Sequence, residues 1–202
     1  GINSIDLNDI ENANILGYKI KLLGVAELTN GKIVQRVHPC LIRNSSYIAN
    51  IDDVLNAVIV DSEPLGQTVM QGEGAGAGAT TSALVSDVCS ILRGNIKFPF
   101  VISDKQRKMA AFEKISYKKF SAYLRFDVED KHGVLSNITS IMAKNKVSIN
   151  RLLQNPIKSK NHSSIIIITH FANDLSLKKA LSQLAKKNYL IKKPKLIRIE
   201  KI

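Results

Sequence analysis

The run Gln71-Gly72-Glu73-Gly74-Ala75-Gly76-Ala77-Gly78-Ala79-Thr80-Thr81-Ser82 is the stretch of this chain best suited to holding a ligand. Alternating glycines let backbone approach a bound group and take positive φ. The apolar residues that follow, Ala83, Leu84, Val88, Cys89, Ile91 and Leu92, recur at helical spacing. Thr80, Thr81 or Ser82 is placed to cap the start of that helix. A helix opening there would aim its free N–H groups and positive dipole end at the loop, which is how backbone binds anions. The same residues also suit a tight strand-to-helix turn packed too closely for side chains, and a glycine motif alone does not choose between the two.

Other titratable residues carry weaker signals. Lys21 would make a catalytic base if burial lowered its pKa. Flanked by Ile20 and Leu22 on an alternating strand, it reads instead as a solvent-facing or salt-bridged lysine. His38, just before Pro39, reads as a structural histidine at a strand end. Cys40 and Cys89 lie far apart, with no CxxC and no Cys/His ligand spacing, which fits buried thiols and gives no metal site.

These residues must be positioned by a regular scaffold. Leu7 to Gly17 reads as a short helix with Asp6 or Asn8 at its start and Gly17 at its end. Lys19 to Leu28 reads as a strand, Asn30-Gly31 as a hairpin turn, and Lys32 to Leu41 as the antiparallel return. Val54 to Asp61 and Gly66 to Gly72 read as two further strands around Ser62-Glu63-Pro64-Leu65, so this half is predicted to be a mixed sheet backed by helices. Residues 95 to 119 change character: lysines abound, periodicity is weak, and Phe98, Phe100 and Phe112 supply the apolar contacts of a connector.

Beyond the connector the order is βαββαβ, the ferredoxin-like pattern. Ala122 to Glu129 alternates as a strand. Asp130-Lys131-His132-Gly133-Val134-Leu135 leads into a helix with Val134, Leu135, Ile138, Ile141 and Met142 on one face. Val147 to Leu153 is a second strand, followed by a polar turn around Lys158 to Asn161. Ser164 to His170, with four consecutive isoleucines, is the third. A helix capped by Asn173 or Asp174 repeats Leu177, Ala180, Leu181 and Leu184, and Leu190 to Ile199 closes the sheet. The fold class is therefore α+β, with residues 1–94 and 120–202 as domains joined by 95–119.

Composition narrows the function classes. With 202 residues, 45% hydrophobic and 23% charged, the chain can build real cores. No apolar run reaches the ~18 residues of a membrane helix, no signal-peptide pattern opens the chain, and cytoplasm is the expected compartment. The net charge of +12 is unevenly placed: residues 1–94 carry 6 Lys and Arg against 10 Asp and Glu, and residues 95–202 carry 23 against 7. In the second half the lysines are dispersed singly and in pairs, with only 5% aromatic residues in the chain, so a nucleic-acid interface is not expected.

In order and spacing, Gly1-Ile2-Asn3-Ser4-Ile5, Leu16-Gly17-Tyr18-Lys19-Ile20-Lys21-Leu22-Leu23-Gly24, Val37-His38-Pro39-Cys40-Leu41-Ile42, Asn56-Ala57-Val58-Ile59-Val60 and the glycine loop with Ser86-Asp87-Val88 resemble homoserine dehydrogenase. The resemblance implies an oxidoreductase that interconverts L-homoserine and L-aspartate 4-semialdehyde with NADP or NAD, in threonine, methionine and isoleucine biosynthesis. It implies that Gly76 approaches the nicotinamide side of the cofactor and that Thr80 stands at the helix start. Where members often have proline, this chain has Ala79. The dinucleotide-binding domain and the catalytic lysine of the family fall upstream of Gly1. The chain is thus expected to be a carboxy-terminal fragment with no catalytic residue of its own and no activity alone.

Asp130, the Gly133-Val134-Leu135 turn and Val147-Ser148-Ile149 resemble an ACT-type regulatory domain. Such domains bind small amino acids between paired copies, and the family context makes L-threonine the expected effector of a homodimer or higher homo-oligomer. By resemblance, Asp130 and Ser148 contact the ligand's amino group and side chain, and the N–H groups near Gly133, Val134 and Leu135 hold its carboxylate. His132 stands where proline is usual. A non-catalytic amino-acid-binding or dimerisation module is the alternative reading of the same residues.

Overall fold

Residues 2–95, 103–107, 109–157 and 161–202 are described by a computed structural model. Phe98 and Phe100 of the connector and Lys158 to Lys160 of the polar turn lie outside them. The chain forms two compact units, one from residues 1–46 with 111–202 and the other from 47–110.

In the first unit, helix α1 (Leu7–Ile15) starts at Asp6, whose carboxylate accepts from the Asp9 N–H at 3.1 Å while the Asp9 side chain accepts from the Asp6 N–H at 3.3 Å. This reciprocal cap satisfies two of the donors that a helix start leaves free. Strands β1 (Tyr18–Thr29) and β2 (Lys32–Arg43) pair antiparallel over their whole length, from Tyr18 opposite Arg43 to Thr29 opposite Lys32. Their turn has positive φ at both Asn30 (51°) and Gly31 (73°), the backbone of a two-residue hairpin whose twist matches its strands.

The remaining strands of this unit are β5 (Ala111–Phe112), β6 (Lys119–Glu129), β7 (Ile149–Ile157), β8 (His162–Thr169), β9 (Ala172–Asn173) and β10 (Lys195–Ile199), with helices α3 (Val134–Lys144) and α4 (Asp174–Leu184). The sheet runs β1-β2-β10-β6-β8-β7, with β5 on β2 and β9 on β6. Its β10-β6-β8-β7 part is the expected ferredoxin-like arrangement, antiparallel at each pairing. The hairpin does not form a separate sheet with the strands that follow it. Instead β2 runs parallel to β10, with Cys40 opposite Arg198 and Leu41 opposite Ile199. Phe112 extends the edge as β5 through its backbone, and its side chain is exposed rather than packed as a connector anchor.

The central strands are covered on both faces, which explains their apolar density. Leu124, Phe126, Val128, Ile165 and Ile167 point to α3 and α4, where they meet Ile138, Met142, Leu177 and Leu184. Tyr123, Ile166, Ile168 and Ile197 point the other way, to Leu41 and to Ala13 of α1. The four isoleucines of β8 thus divide two and two by simple alternation.

Buried charges knit the same elements. On the α1 side Arg125 is 4% exposed and donates from Nε to Asp9 at 2.8 Å, from Nη1 to Asp127 at 3.0 Å, and from Nη2 to Asp6. On β2, Arg36 donates to both Glu200 oxygens at 2.7 and 2.6 Å, and His38 Nε2 lies 3.0 Å from the same carboxylate. Arg36 also pairs with Glu27 at 2.5 Å, and Lys118 pairs with Glu27 as well. The Phe120 ring lies between the Arg36 and Arg198 guanidiniums, each 5.4 Å from its centroid. His38 is therefore a structural histidine at the sheet junction.

The second unit holds β3 (Leu55–Ser62) and β4 (Gly66–Glu73), an antiparallel pair, followed by helix α2 (Ala77–Leu92). Among the described residues these two strands pair only with each other. None of α2's residues is buried, and Leu84, Val85, Val88, Ile91 and Leu92 each expose more than half their surface. Among the described residues, no helix is long and apolar enough to cross a membrane.

Burial alone would raise the Glu200 carboxyl, but hydrogen bonds from His38 and Arg36 and the Arg36 charge hold it down to about 2. Its contribution to stability is complete above the ordinary value of 4.5 and is lost as pH falls through that value towards 2. A shift of this size is worth on the order of 3 kcal/mol, so denaturant midpoints of Glu200→Gln should be lower at pH 7 and flatter between the two pH limits than those of the parent. Separately, Ile138→Ala, at a position with no exposed surface, should lower unfolding free energy by roughly 2–5 kcal/mol in denaturant titrations followed by circular dichroism.

Candidate effector and cofactor sites

The glycine loop joins β4 to α2. Gly74 donates its N–H to the Val54 carbonyl at 3.0 Å, and a Cβ built on Gly74 would fall 1.6 Å from Asn56 Nδ2. A side chain at this position would have to displace the exposed Asn56 amide, which donates to the same Val54 carbonyl at 3.2 Å. Gly76 has φ 122° and ψ 148° and is the N-cap of α2. That backbone conformation itself requires glycine, although a Cβ there would meet nothing within 4 Å. Gly72 and Gly78 also face open space.

The helix begins before the hydroxyl residues expected to cap it. Thr80 is already inside the first turn, its N–H donating to the Gly76 carbonyl at 3.1 Å, and no side chain caps the start. Thr80, Thr81 and Ser82 are exposed. Gly76 needs no side chain to serve as N-cap, so the chain turns helical as soon as the left-handed residue is passed. The helix N-terminus thus presents uncapped backbone donors beside a glycine with open space above it, the geometry that accepts a phosphate or carboxylate. Lys21, on β1 of the other unit, is half-buried on a paired strand and not part of this loop. Cys40 is a free buried thiol, pushed up to about 12 chiefly by that burial and then by Glu200, and Cys89 is free on α2.

The second candidate lies where β6 ends. Asp130 is exposed, and its N–H donates to the Asn161 carbonyl at 2.8 Å. With Lys131 and His132 it lines an open pocket. Gly133 follows with φ 82°, the left-handed N-cap of α3, again without a side-chain cap. Val134 is buried beneath the turn and Leu135 packs against the core, so the two apolar residues anchor a helix start that no side chain caps, with the Val134 N–H donating to the Lys131 carbonyl at 3.4 Å. Glu129 is held below its ordinary range by the Lys131 ammonium, which donates to it at 2.7 Å.

Sequence reading missed the residues that flank this turn. Tyr189 donates from its hydroxyl to Asn137 Oδ1 at 2.9 Å, across the first turn of α3, and its carbonyl accepts from the Glu129 N–H at 2.9 Å. Tyr189 sits in a stretch without periodicity, so only the fold reveals it. Ser148, in contrast, does not join Asp130 within one chain. It precedes β7 and its carbonyl accepts from the His170 N–H at 2.9 Å, whereas Asp130 follows the end of β6 that pairs with the start of β8, Glu129 opposite His162. Eight to nine strand residues, roughly 25 Å, separate the two levels of the sheet.

Comparison with known proteins agrees with both halves. Residues 1–89 match the family model "Homoserine dehydrogenase" and residues 122–188 match "ACT domain". Homoserine dehydrogenase of Helicobacter pylori is 36% identical over 201 residues, covering 99% of this chain and 47% of the relative. That of Neisseria gonorrhoeae is 35% identical, covering 100% and 48%. The chain thus spans about half the length of the curated relatives it matches. The crystal structure of a homoserine dehydrogenase from Thiobacillus denitrificans superposes with a TM-score of 0.86 at 32% identity, over 99% of this chain and 46% of that one. With two family matches in tandem and relatives aligned along its whole length, the chain belongs to the homoserine dehydrogenase family and carries an ACT domain.

Proposed function

We propose that this chain is the sheet and regulatory portion of a cytoplasmic NADP- or NAD-dependent homoserine dehydrogenase, and that its ACT domain binds L-threonine as effector. The observation that carries the effector reading is the uncapped start of α3 at Gly133, directly after the exposed Asp130. An α-amino acid has the matching chemistry: its carboxylate suits the N–H groups of Gly133, Val134 and Leu135, and its ammonium suits Asp130. The same geometry without a charge partner would only hold an anion.

Ser148 enters this reading through a second copy. β7 is the last strand of the sheet order and has one unpaired edge among the described residues. Pairing two copies antiparallel along β7 reverses the strand, so the end bearing Ser148 in one copy comes beside the end bearing Asp130 in the other. The effector then lies between paired copies, and the dimer is a condition of binding.

For the cofactor, Gly76 and the first turn of α2 up to Thr80 are the residues that would contact it, through backbone donors and not through a threonine cap. The cofactor supplies hydride transfer when bound. This chain's residues contribute a close-approach surface, while proton transfer belongs to residues beyond it, so the 202-residue chain alone should have no dehydrogenase activity.

Calorimetric titration with L-threonine, with L-serine, L-isoleucine and L-lysine as comparisons, is the test. Saturable binding selective for L-threonine is expected, and Asp130→Ala should weaken it by about 10-fold or more, the loss of one charged contact. No heat with any of the four, in a folded sample shown to be dimeric by sedimentation, would reject the effector reading in favour of a dimerisation module.

A further inference from the structure

The cluster around Arg125 joins residues matched to the dehydrogenase family with residues matched to the ACT domain. We propose that α1 is the output element of the effector site, coupled to it through Arg125. This inference rests on the amino-acid-binding reading above.

β6 carries both ends of the coupling. Asp130 and the Gly133 turn begin where it stops, and Arg125 and Asp127 project from it towards α1. Asp9 has no exposed surface; it accepts from Arg125 Nε at 2.8 Å and from the Tyr123 hydroxyl at 3.2 Å, and it faces Lys195 at 3.9 Å. Asp127 accepts from Arg125 Nη1 at 3.0 Å and from the Ser164 hydroxyl at 3.1 Å. Its backbone carbonyl accepts from the Ile191 N–H at 2.9 Å, two residues past Tyr189, whose hydroxyl reaches Asn137 over the first turn of α3. A ligand that orders the turn at Gly133 therefore acts on the 189–191 segment, which contacts β6 at Asp127, and Asp127 shares Arg125 with Asp9.

What makes α1 responsive is that Asp6 and Asp9 have two tasks. They form the reciprocal cap that starts α1, and they are the carboxylates that hold the Arg125 guanidinium. Drawing Arg125 away leaves the two facing carboxylates with only Lys195, 3.9 Å from Asp9, as a cation, so docking and helix capping weaken together. A coupling between sites needs a second arrangement of α1, released and frayed, beside the docked and capped one that the structure holds. Effector binding stabilises the docked arrangement.

Hydrogen–deuterium exchange of the 202-residue chain with and without L-threonine tests this. In the parent, amides in the first turn of α3 and amides of α1 should both slow, the latter by on the order of fivefold, the low end of typical allosteric coupling. In Asp9→Asn, which keeps the shape and removes the charge, the α3 response should persist while the α1 response falls to the noise. Arg125→Met should behave alike if it folds; if it does not, Asp9→Asn decides. Binding that protects α3 but leaves α1 unchanged in the parent would overturn the coupling and leave the effector reading intact. An α1 response that survives in Asp9→Asn would overturn the role of the cluster. No protection and no binding would remove both readings together.

Discussion

Arg125 is a cation held inside the protein, and the architecture of the larger unit follows from how it is satisfied. A guanidinium on a central strand needs carboxylates from every direction, and here they come from Asp127 on its own strand and from Asp6 and Asp9 on α1. Asp9 is buried and Asp6 is partly so, yet Asp6 is held below its ordinary value, since the Asp9 N–H and the Arg125 charge outweigh its desolvation. Burial opposes the charge on Arg125 too, and the three carboxylates more than offset it. Each partner makes the other tolerable, and truncating Arg125 would leave the fully buried Asp9 with Lys195, at 3.9 Å, as its only cation, at a cost on the order of 3–5 kcal/mol. The helix is thus fixed to the sheet by charge as much as by its small apolar face of Ala13 and Leu16.

A second buried set does the same for the hairpin. β10 is short, and only two residue pairs join it to β2 in register. Arg36, His38 and Glu200 add side-chain bonds just beyond those pairs, so the last strand of the chain is held at its end as well as along its backbone. Asp174 at the start of α4 takes Arg198 from the same strand at 2.6 Å, and the ring of Phe120 fills the space between the two arginines. The sheet therefore continues from the ACT strands into the hairpin without a packing boundary. A division of the chain by linear order at residue 94 cuts across this junction.

Local chemistry was legible in the sequence and long-range pairing was not. Asn30-Gly31 announces its hairpin because two successive positive φ values leave few residue choices. The βαββαβ order is written in alternation and in helical spacing, and the run of isoleucines signals a strand covered on both faces. By contrast, no periodicity tells that Arg125 seeks Asp9, 116 residues away, or that Cys40 lies opposite Arg198. α2 starts earlier than its hydroxyl residues suggest for a related reason: Thr80, Thr81 and Ser82 are good caps, but a glycine at φ 122° ends the loop before them. That Asp130 and Ser148 lie at opposite ends of the sheet within one chain is likewise invisible in the sequence, because sequence distance says nothing about which end of a sheet a residue occupies.

The two glycine-marked helix starts differ in what supports them, and this bears on how each can act. Gly133 opens a helix whose Val134, Ile138 and Met142 are buried, so core packing sets the helix in place and leaves only the turn before it for a ligand to order. Gly76 opens a helix with no buried residue and an apolar side made of Leu84, Val85, Val88, Ile91 and Leu92 in the open. Helices of this length gain most of their stability from packing an apolar face, and apolar surface on this scale marks a contact surface. The loop at Gly76 is therefore positioned only as well as the face behind it is covered. A ligand at Gly133 reads a site built into one core, while a ligand at Gly76 reads a site whose rigidity depends on what packs against α2.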